Sequence, residues 1–196
     1  MIRRWSTWSR ANVVFFHVPK TAGVSVSRAL YGKSLGHFYA SNVKVLMPRL
    51  FESAFTFGVS RHPVDRLHSA YRFARSGGTD EMGIRNPKKY TNQSFFSFND
   101  FVTRWLVNQK LENLDGVFRP QYLYLCDDNK IIVDRVFEFS NLVEIEEVLS
   151  ELLDKEINLK HSNISYNNEI EKISGTSMKI IKDLYRLDFE IFNYPL

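Results

Sequence analysis

Two apolar runs, each followed at once by a helix-starting signal, limit what this chain can fold into. The run Asn12–Val18 is rich in β-branched and aromatic residues, as a strand buried on both faces should be, and it ends at Pro19. A loop, Pro19-Lys-Thr-Ala-Gly23, leads to Ser25–Tyr31, which can start a helix. The run Ala54–Val59 has the same strand character, and Pro63 then stands near a first helical position. Val64, Leu67, Tyr71 and Ala74 follow at helical spacing. Strands that run directly into helices pair in parallel, so the expected class is α/β with a parallel sheet.

The rest of the chain extends this pattern. Ile131–Phe139 reads as a third apolar strand, Ser97–Val107 as a helix, and Asn141–Leu153 as a helix that Asn141 and Glu144 could cap. A last helix over Ser177–Phe192 places Ile180, Ile181, Leu184, Leu187 and Ile191 on one face, which is expected to be core. Between residues 75 and 93 the sequence turns polar and is punctuated by Gly77-Gly78 and Asn86-Pro87, the mark of a mobile surface loop that could contact an acceptor or act as a lid. Residues 1–10 are expected to form a flexible N-terminus.

With 196 residues, of which 44% are hydrophobic and 14% aromatic, the chain suits a single domain over 1–196. A formal charge of +4 suits an anionic ligand, but the basic residues are scattered among 22 acidic ones, which argues against nucleic acid as a partner. Cys126 is the single cysteine, so neither an intrachain disulfide nor a cysteine zinc site is available. The apolar run Val13–Phe16 after Arg3, Arg4 and Arg10 is too short for a signal peptide or a membrane span. A cytoplasmic protein is expected, unless an N-terminal anchor precedes the sequence.

A strand that enters a short loop and then a helix N-terminus presents N–H groups and a positive dipole end to a phosphate or sulfate. His17-Val-Pro-Lys-Thr-Ala-Gly-Val-Ser25 has that layout, though Lys20 precedes the small residues and the GxxxxGK[ST] order of nucleotide kinases is absent. A second segment, Val59-Ser-Arg61-His-Pro-Val-Asp-Arg66-Leu-His-Ser69, offers an arginine at a strand end and a hydroxyl in the next helix. A planar guanidinium donates two parallel charge-assisted bonds, which suits phosphate.

In this order the two segments resemble the 5′-phosphosulfate-binding loop and the 3′-phosphate-binding segment of the carbohydrate sulfotransferases, the group containing the uronyl 2-O-sulfotransferases and their bacterial relatives. Further stretches resemble that family in the same order: Phe118-Arg-Pro-Gln121-Tyr-Leu, Val133–Leu142, His161-Ser-Asn163-Ile-Ser165 and Tyr185–Tyr194. The resemblance implies a P-loop-like three-layer α/β/α fold with a central parallel sheet. It also implies 3′-phosphoadenosine 5′-phosphosulfate (PAPS) as donor and PAP as product. Lys20, Thr21, Ala22, Gly23, Val24 and Ser25 would hold the 5′ side of the donor, and Arg61 and Ser69 the 3′-phosphate.

Lys20 would also be catalytic, neutralising charge on the sulfuryl and leaving oxygens. The acceptor would be a hydroxyl, expected on an oligosaccharide or glycoconjugate, and histidine suits the general base it needs at neutral pH. His37 falls after the first helix, where uronyl 2-O-sulfotransferase-like members carry their catalytic histidine. His17 is expected to shape the loop, His62 and His68 to pack or lie at the surface, and His161 to serve structure or touch a ligand. Asp65 and Arg66 would brace their helix by ion pairing. No metal is expected. Two other readings are a small-molecule phosphotransferase on the same fold, in which Arg61 and Ser69 would have no 3′-phosphate to hold, and a non-catalytic module that binds glycans or polyanions through basic charge and exposed aromatics.

Overall fold

The computed structural model describes residues 2–79, 82–159 and 172–196. In chain order its main elements are α1 Ile2–Ala11, β1 Val13–Phe16, α2 Gly23–Tyr31, α3 Ala40–Leu46, α4 Pro48–Ser53, β2 Phe55–Ser60 and α5 Pro63–Arg75. After several single 3-10 turns come α6 Phe98–Asp100, α7 Tyr122–Leu125, β3 Cys126–Asp127, β4 Lys130–Ile131, β5 Arg135–Glu138, α8 Leu142–Leu153, α9 Gly175–Leu184 and α10 Arg186–Ile191. Two compact units result, Met1–Arg61 with Gln121–Ser165, and His62–Pro120 with Tyr166–Leu196.

The first unit carries the expected α/β architecture. Its sheet has the order β1-β2-β5 with both pairings parallel, Phe15 opposite Phe57 and Val59 opposite Phe137. Alternation along the strands divides the buried residues between the faces. Val13, Phe15, Phe57, Val59 and Phe137 pack with Val26 of α2 and Leu142, Ile145 and Leu149 of α8. On the opposite face Phe16 meets Phe51 of α4. Gly58 lies in the middle of β2 because the Leu125 side chain of α7 occupies the position its Cβ would take, 2.3 Å away. Helices therefore cover both faces of the parallel sheet, which is why its strands read as continuous apolar runs.

Strand β1 is an edge, and its outward N–H and C=O groups need partners. Tyr31, at the end of α2, supplies both: its hydroxyl donates to Val13 O and accepts from Phe15 N, each at 3.0 Å. Burial raises the Tyr31 pKa, so the hydroxyl keeps the proton it donates. Strand β2 is pinned at its start by Asp134, whose carboxylate accepts from Thr56 N at 2.7 Å and Thr56 Oγ1 at 2.8 Å.

That contact is also why the third apolar run is not one strand. Ile131 belongs to a two-residue hairpin whose turn, Asp128-Asn129, has positive φ at both residues, and the sheet strand begins only after Asp134, at Arg135. Asn141 caps α8 as expected, accepting from Glu144 N.

The second unit is built on an aromatic core in which Phe95, Phe98, Phe101, Phe118, Tyr185 and Phe189 are almost fully buried. The helix expected over Ser97–Val107 starts at a Ser97 cap but passes through a π turn, Phe101–Trp105, and ends in a 3-10 turn. The terminal helix divides at Tyr185, whose hydroxyl donates to Phe118 O at 2.6 Å. The buried face is Ile181, Tyr185, Asp188, Phe189 and Phe192, one residue round from the expected one, and Leu184, Leu187 and Ile191 are half-buried beside it.

Arg66, with no exposed surface, braces this unit by donating to Val117 O at 3.1 Å and Arg119 O at 2.8 Å, so it bonds backbone carbonyls, whereas Asp65 is exposed. The segment expected as a mobile loop is fastened to the same core. Ile84 and Tyr90 are buried, Gly78 bridges to Gly83, and the Tyr90 hydroxyl donates to the Asp115 carboxylate. Residues 1–10, expected to be flexible, include most of α1, where Trp8 is buried edge-on against Phe38.

Tyr31→Phe removes the hydroxyl that bridges the β1 edge and leaves two backbone groups to find other partners, so urea unfolding should report a loss of about 1–3 kcal/mol. A loss under about 0.5 kcal/mol would mean that the edge needs no such cover.

Candidate active site

Everything at the carboxyl end of β1 turns on a tight loop. Lys20 and Ala22 both take left-handed backbone conformations, φ 71° and 62°, with Thr21 between them. Such alternation turns successive N–H groups toward one side, as anion-binding nests do, and non-glycine residues hold it at a cost of roughly 1–3 kcal/mol each. The Thr21 hydroxyl stabilises the turn by donating to Val18 O at 2.9 Å, with the side chain fully buried. Helix α2 then starts at Gly23 with Ala22 as its N-cap and no side-chain capping bond. Its first intrahelical bond is Val26 N to Ala22 O, so the N–H groups of Gly23, Val24 and Ser25 precede the helical ladder.

His17 determines how closely this helix start approaches the strand. A Cβ at residue 23 would lie 1.8 Å from His17 Cδ2, so the position accepts only glycine while the ring is there. The ring is 3% exposed, stacks on Phe15 with centroids 5.8 Å apart, and has a buried Nδ1 with no hydrogen-bond partner. Burial, then the neighbouring His37 and Lys20, hold its pKa well below the ordinary imidazole value. His17 is thus a neutral, packed ring at the base of the loop, the shaping role expected of it.

His37 lies against it, with ring centroids 4.2 Å apart. Its Nδ1 is 2.8 Å from the His17 carbonyl oxygen, and a carbonyl only accepts, so His37 donates from Nδ1. In the neutral ring that leaves the lone pair on Nε2. Desolvation lowers the His37 pKa while the bond to His17 opposes the shift. The side chain is exposed on its remaining side. Tyr124 stands edge-on at 6.4 Å and Tyr39 packs on Tyr124 at 5.0 Å, which places aromatic rings beside the imidazole.

Arg61 follows directly on β2 and meets the same loop. Its guanidinium donates from Nη1 to Lys20 O at 3.3 Å and lies 4.3 Å over the Phe139 ring. Its backbone is held by the buried amide of Gln121, which accepts from Arg61 N at 2.9 Å and donates to Arg61 O at 2.8 Å. The first unit thus brings together Lys20, Thr21, Ala22, Gly23, Val24, Ser25, His37 and Arg61.

Ser69 lies half-buried on α5 in the second unit, where His62 packs edge-on to Phe189 and Tyr194, and His68 to Phe98. His161, Asn163 and Ser165 fall outside the described residues. The Gln121 clamp and the Phe139 shelf were not singled out by sequence reasoning; the Pro-Gln pair at 120–121 was the available signal. Among the described residues, no group of three or more His, Cys, Asp or Glu is placed to hold a metal ion, and no helix is long and apolar enough to cross a membrane.

Because His17 is held neutral, the unfolded chain binds a proton near pH 6.5 that the folded chain resists. Stability is therefore full above that pH and falls as pH drops through it, by up to about 1.4 kcal/mol per pH unit for this residue. Urea unfolding between about pH 7 and pH 5 should show a shallower loss for His17→Gln than for the native chain, and parallel losses would contradict the assignment.

A family model described as the sulfotransferase family matches residues 7–195. No curated protein and no solved structure matches the chain.

Proposed function

The chain belongs to the sulfotransferase family and transfers a sulfuryl group to a hydroxyl acceptor, and from that membership we propose that its donor is PAPS and its acceptor a carbohydrate. The carrying observation is the left-handed loop at the uncapped start of α2, with the Arg61 guanidinium against its Lys20 carbonyl. This donor set fits a phosphosulfate: backbone N–H groups, a positive helix end, an ammonium and a guanidinium suit an anion bearing several oxygens. A neutral imidazole open to solvent beside aromatic rings suits a sugar hydroxyl whose C–H faces pack on those rings. The family match runs through both units, and we take 1–196 as one sulfotransferase domain. Family membership also decides against the phosphotransferase and the non-catalytic binding module.

Bound PAPS would supply the activated sulfuryl group and a phosphate leaving group. The N–H groups of Thr21 to Ser25 would hold its 5′ end, and Lys20 would offset the charge that develops as the sulfur–oxygen bond breaks. Arg61 would take the 3′-phosphate; Ser69 is proposed with it on the sequence pattern alone. His37 would receive the acceptor's hydroxyl proton at Nε2 as that oxygen bonds to sulfur, and its Nδ1–H bond to the His17 carbonyl would keep the ring oriented and stabilise the imidazolium formed.

Calorimetric titration tests the donor with two nucleotides that differ only in the 3′-phosphate, PAP and adenosine 5′-monophosphate (AMP). The native chain should prefer PAP, and Arg61→Ala should lose about tenfold or more of that preference. Equal or absent binding of both by the native chain would sink the PAPS reading.

The base is tested by rate. His37→Ala should lower kcat by about a hundredfold or more with PAP affinity unchanged. Since only the neutral ring accepts a proton, kcat in the native enzyme should rise with pH through a pKa below 6.5 and level off at neutral pH. A kcat that falls over that range would exclude His37 as base.

A further inference from the structure

Arg61 stands where regular pairing has stopped. Strand β2 ends at Ser60, and the last bond across to the third strand is Phe139 N to Ser60 O. The next N–H and C=O, those of Arg61, are bonded by a side chain from sixty residues away: Gln121, with no exposed surface, closes a two-way pair on them at 2.9 and 2.8 Å. The amide substitutes for one residue of a neighbouring strand. Rotation of the Arg61 backbone would break both hydrogen bonds together and leave the buried Gln121 amide unpaired.

From this fixed backbone the side chain leaves under two further restraints. Phe139 forms a flat shelf 4.3 Å beneath the guanidinium, and the Lys20 carbonyl takes one of its N–H groups at 3.3 Å. Backbone, ring and carbonyl are each held by different parts of the fold, so the guanidinium has a defined direction before any ligand arrives. Preorganisation of this kind raises affinity by reducing the ordering that binding would otherwise require.

We propose that Gln121 is a positioning residue for recognition of a nucleoside 3′-phosphate, acting through Arg61. This rests on the reading of Arg61 as the 3′-phosphate ligand. Gln121 touches neither substrate nor reacting atoms; it sets the place from which Arg61 reaches them. An apolar side chain would fill the same volume, but it would leave the Arg61 backbone free to turn and the guanidinium to search.

The test is the ratio of PAP to AMP affinity, measured by calorimetry on the native chain, Gln121→Met and Gln121→Glu, with thermal melts to show that each is folded at the temperature used. Met keeps the length and removes both bonds; Glu keeps the shape and the bond from Arg61 N, and lacks the donor to Arg61 O. The native chain should prefer PAP, and Gln121→Met should lose about tenfold of that preference while AMP affinity stays within about twofold. If Gln121→Met is not obtained folded, Gln121→Glu is read by the same ratio, with a smaller loss expected. A folded variant with lower Tm and an unchanged PAP-to-AMP ratio would show that the amide serves stability alone, and would overturn the proposal. A native chain without any PAP preference overturns the Arg61 reading itself, and that arm is separate from the variants.

Discussion

The contact between the His17 ring and Gly23 is the one on which the site depends. It brings the start of α2 against the end of β1 at a distance no side chain at residue 23 could permit. With the helix so close, the loop between them must turn sharply, and Lys20 and Ala22 take left-handed conformations to do it. The same residue's carbonyl holds His37 by its Nδ1. Strand end, loop and His37 are therefore tied at one buried, neutral imidazole. A protonated His17 would put a charge into an apolar packing layer between Phe15 and the helix start.

A second theme runs through both units: polar side chains complete the backbone where regular ladders stop. Gln121 does this for Arg61, Asp134 and Thr56 for the start of β2, Tyr31 for the edge of β1, and Arg66 for the carbonyls of Val117 and Arg119. Each bond adds about 1 kcal/mol net, but removing one partner exposes the full desolvation cost of the other. Such pairs therefore contribute more to a single defined arrangement than to raw stability. At Arg61 that definition falls on the residue proposed to meet the 3′-phosphate.

Much of the fold was legible because burial on both faces writes itself into a strand. The apolar runs at 12–18 and 54–59 became β1 and β2 within a residue or two, and Asn141 and Pro63 marked their helices correctly. The errors share a cause. Residues 131–139 read as one strand, and 177–192 as one helix, because apolar pattern does not reveal where a distant group interrupts it. Asp134 is drawn to Thr56, and Tyr185 to Phe118, by partners far away in sequence. In the polar stretch after Arg75, composition does not show that Tyr90 reaches Asp115.

For the site, the order of residues determined chemical character: a lysine and small residues between strand and helix, an arginine at the next strand end, and a histidine after the first helix. These are local facts, and they follow from chain connectivity because a strand that enters a helix delivers its loop to the helix N-terminus. Tertiary structure decided the rest. That His37 donates from Nδ1, that His17 is neutral, and that Gln121 holds Arg61 all depend on pairs 20 to 60 residues apart. Hydrogen-bond direction and burial arise only when such groups meet, so no pattern along the chain carries them.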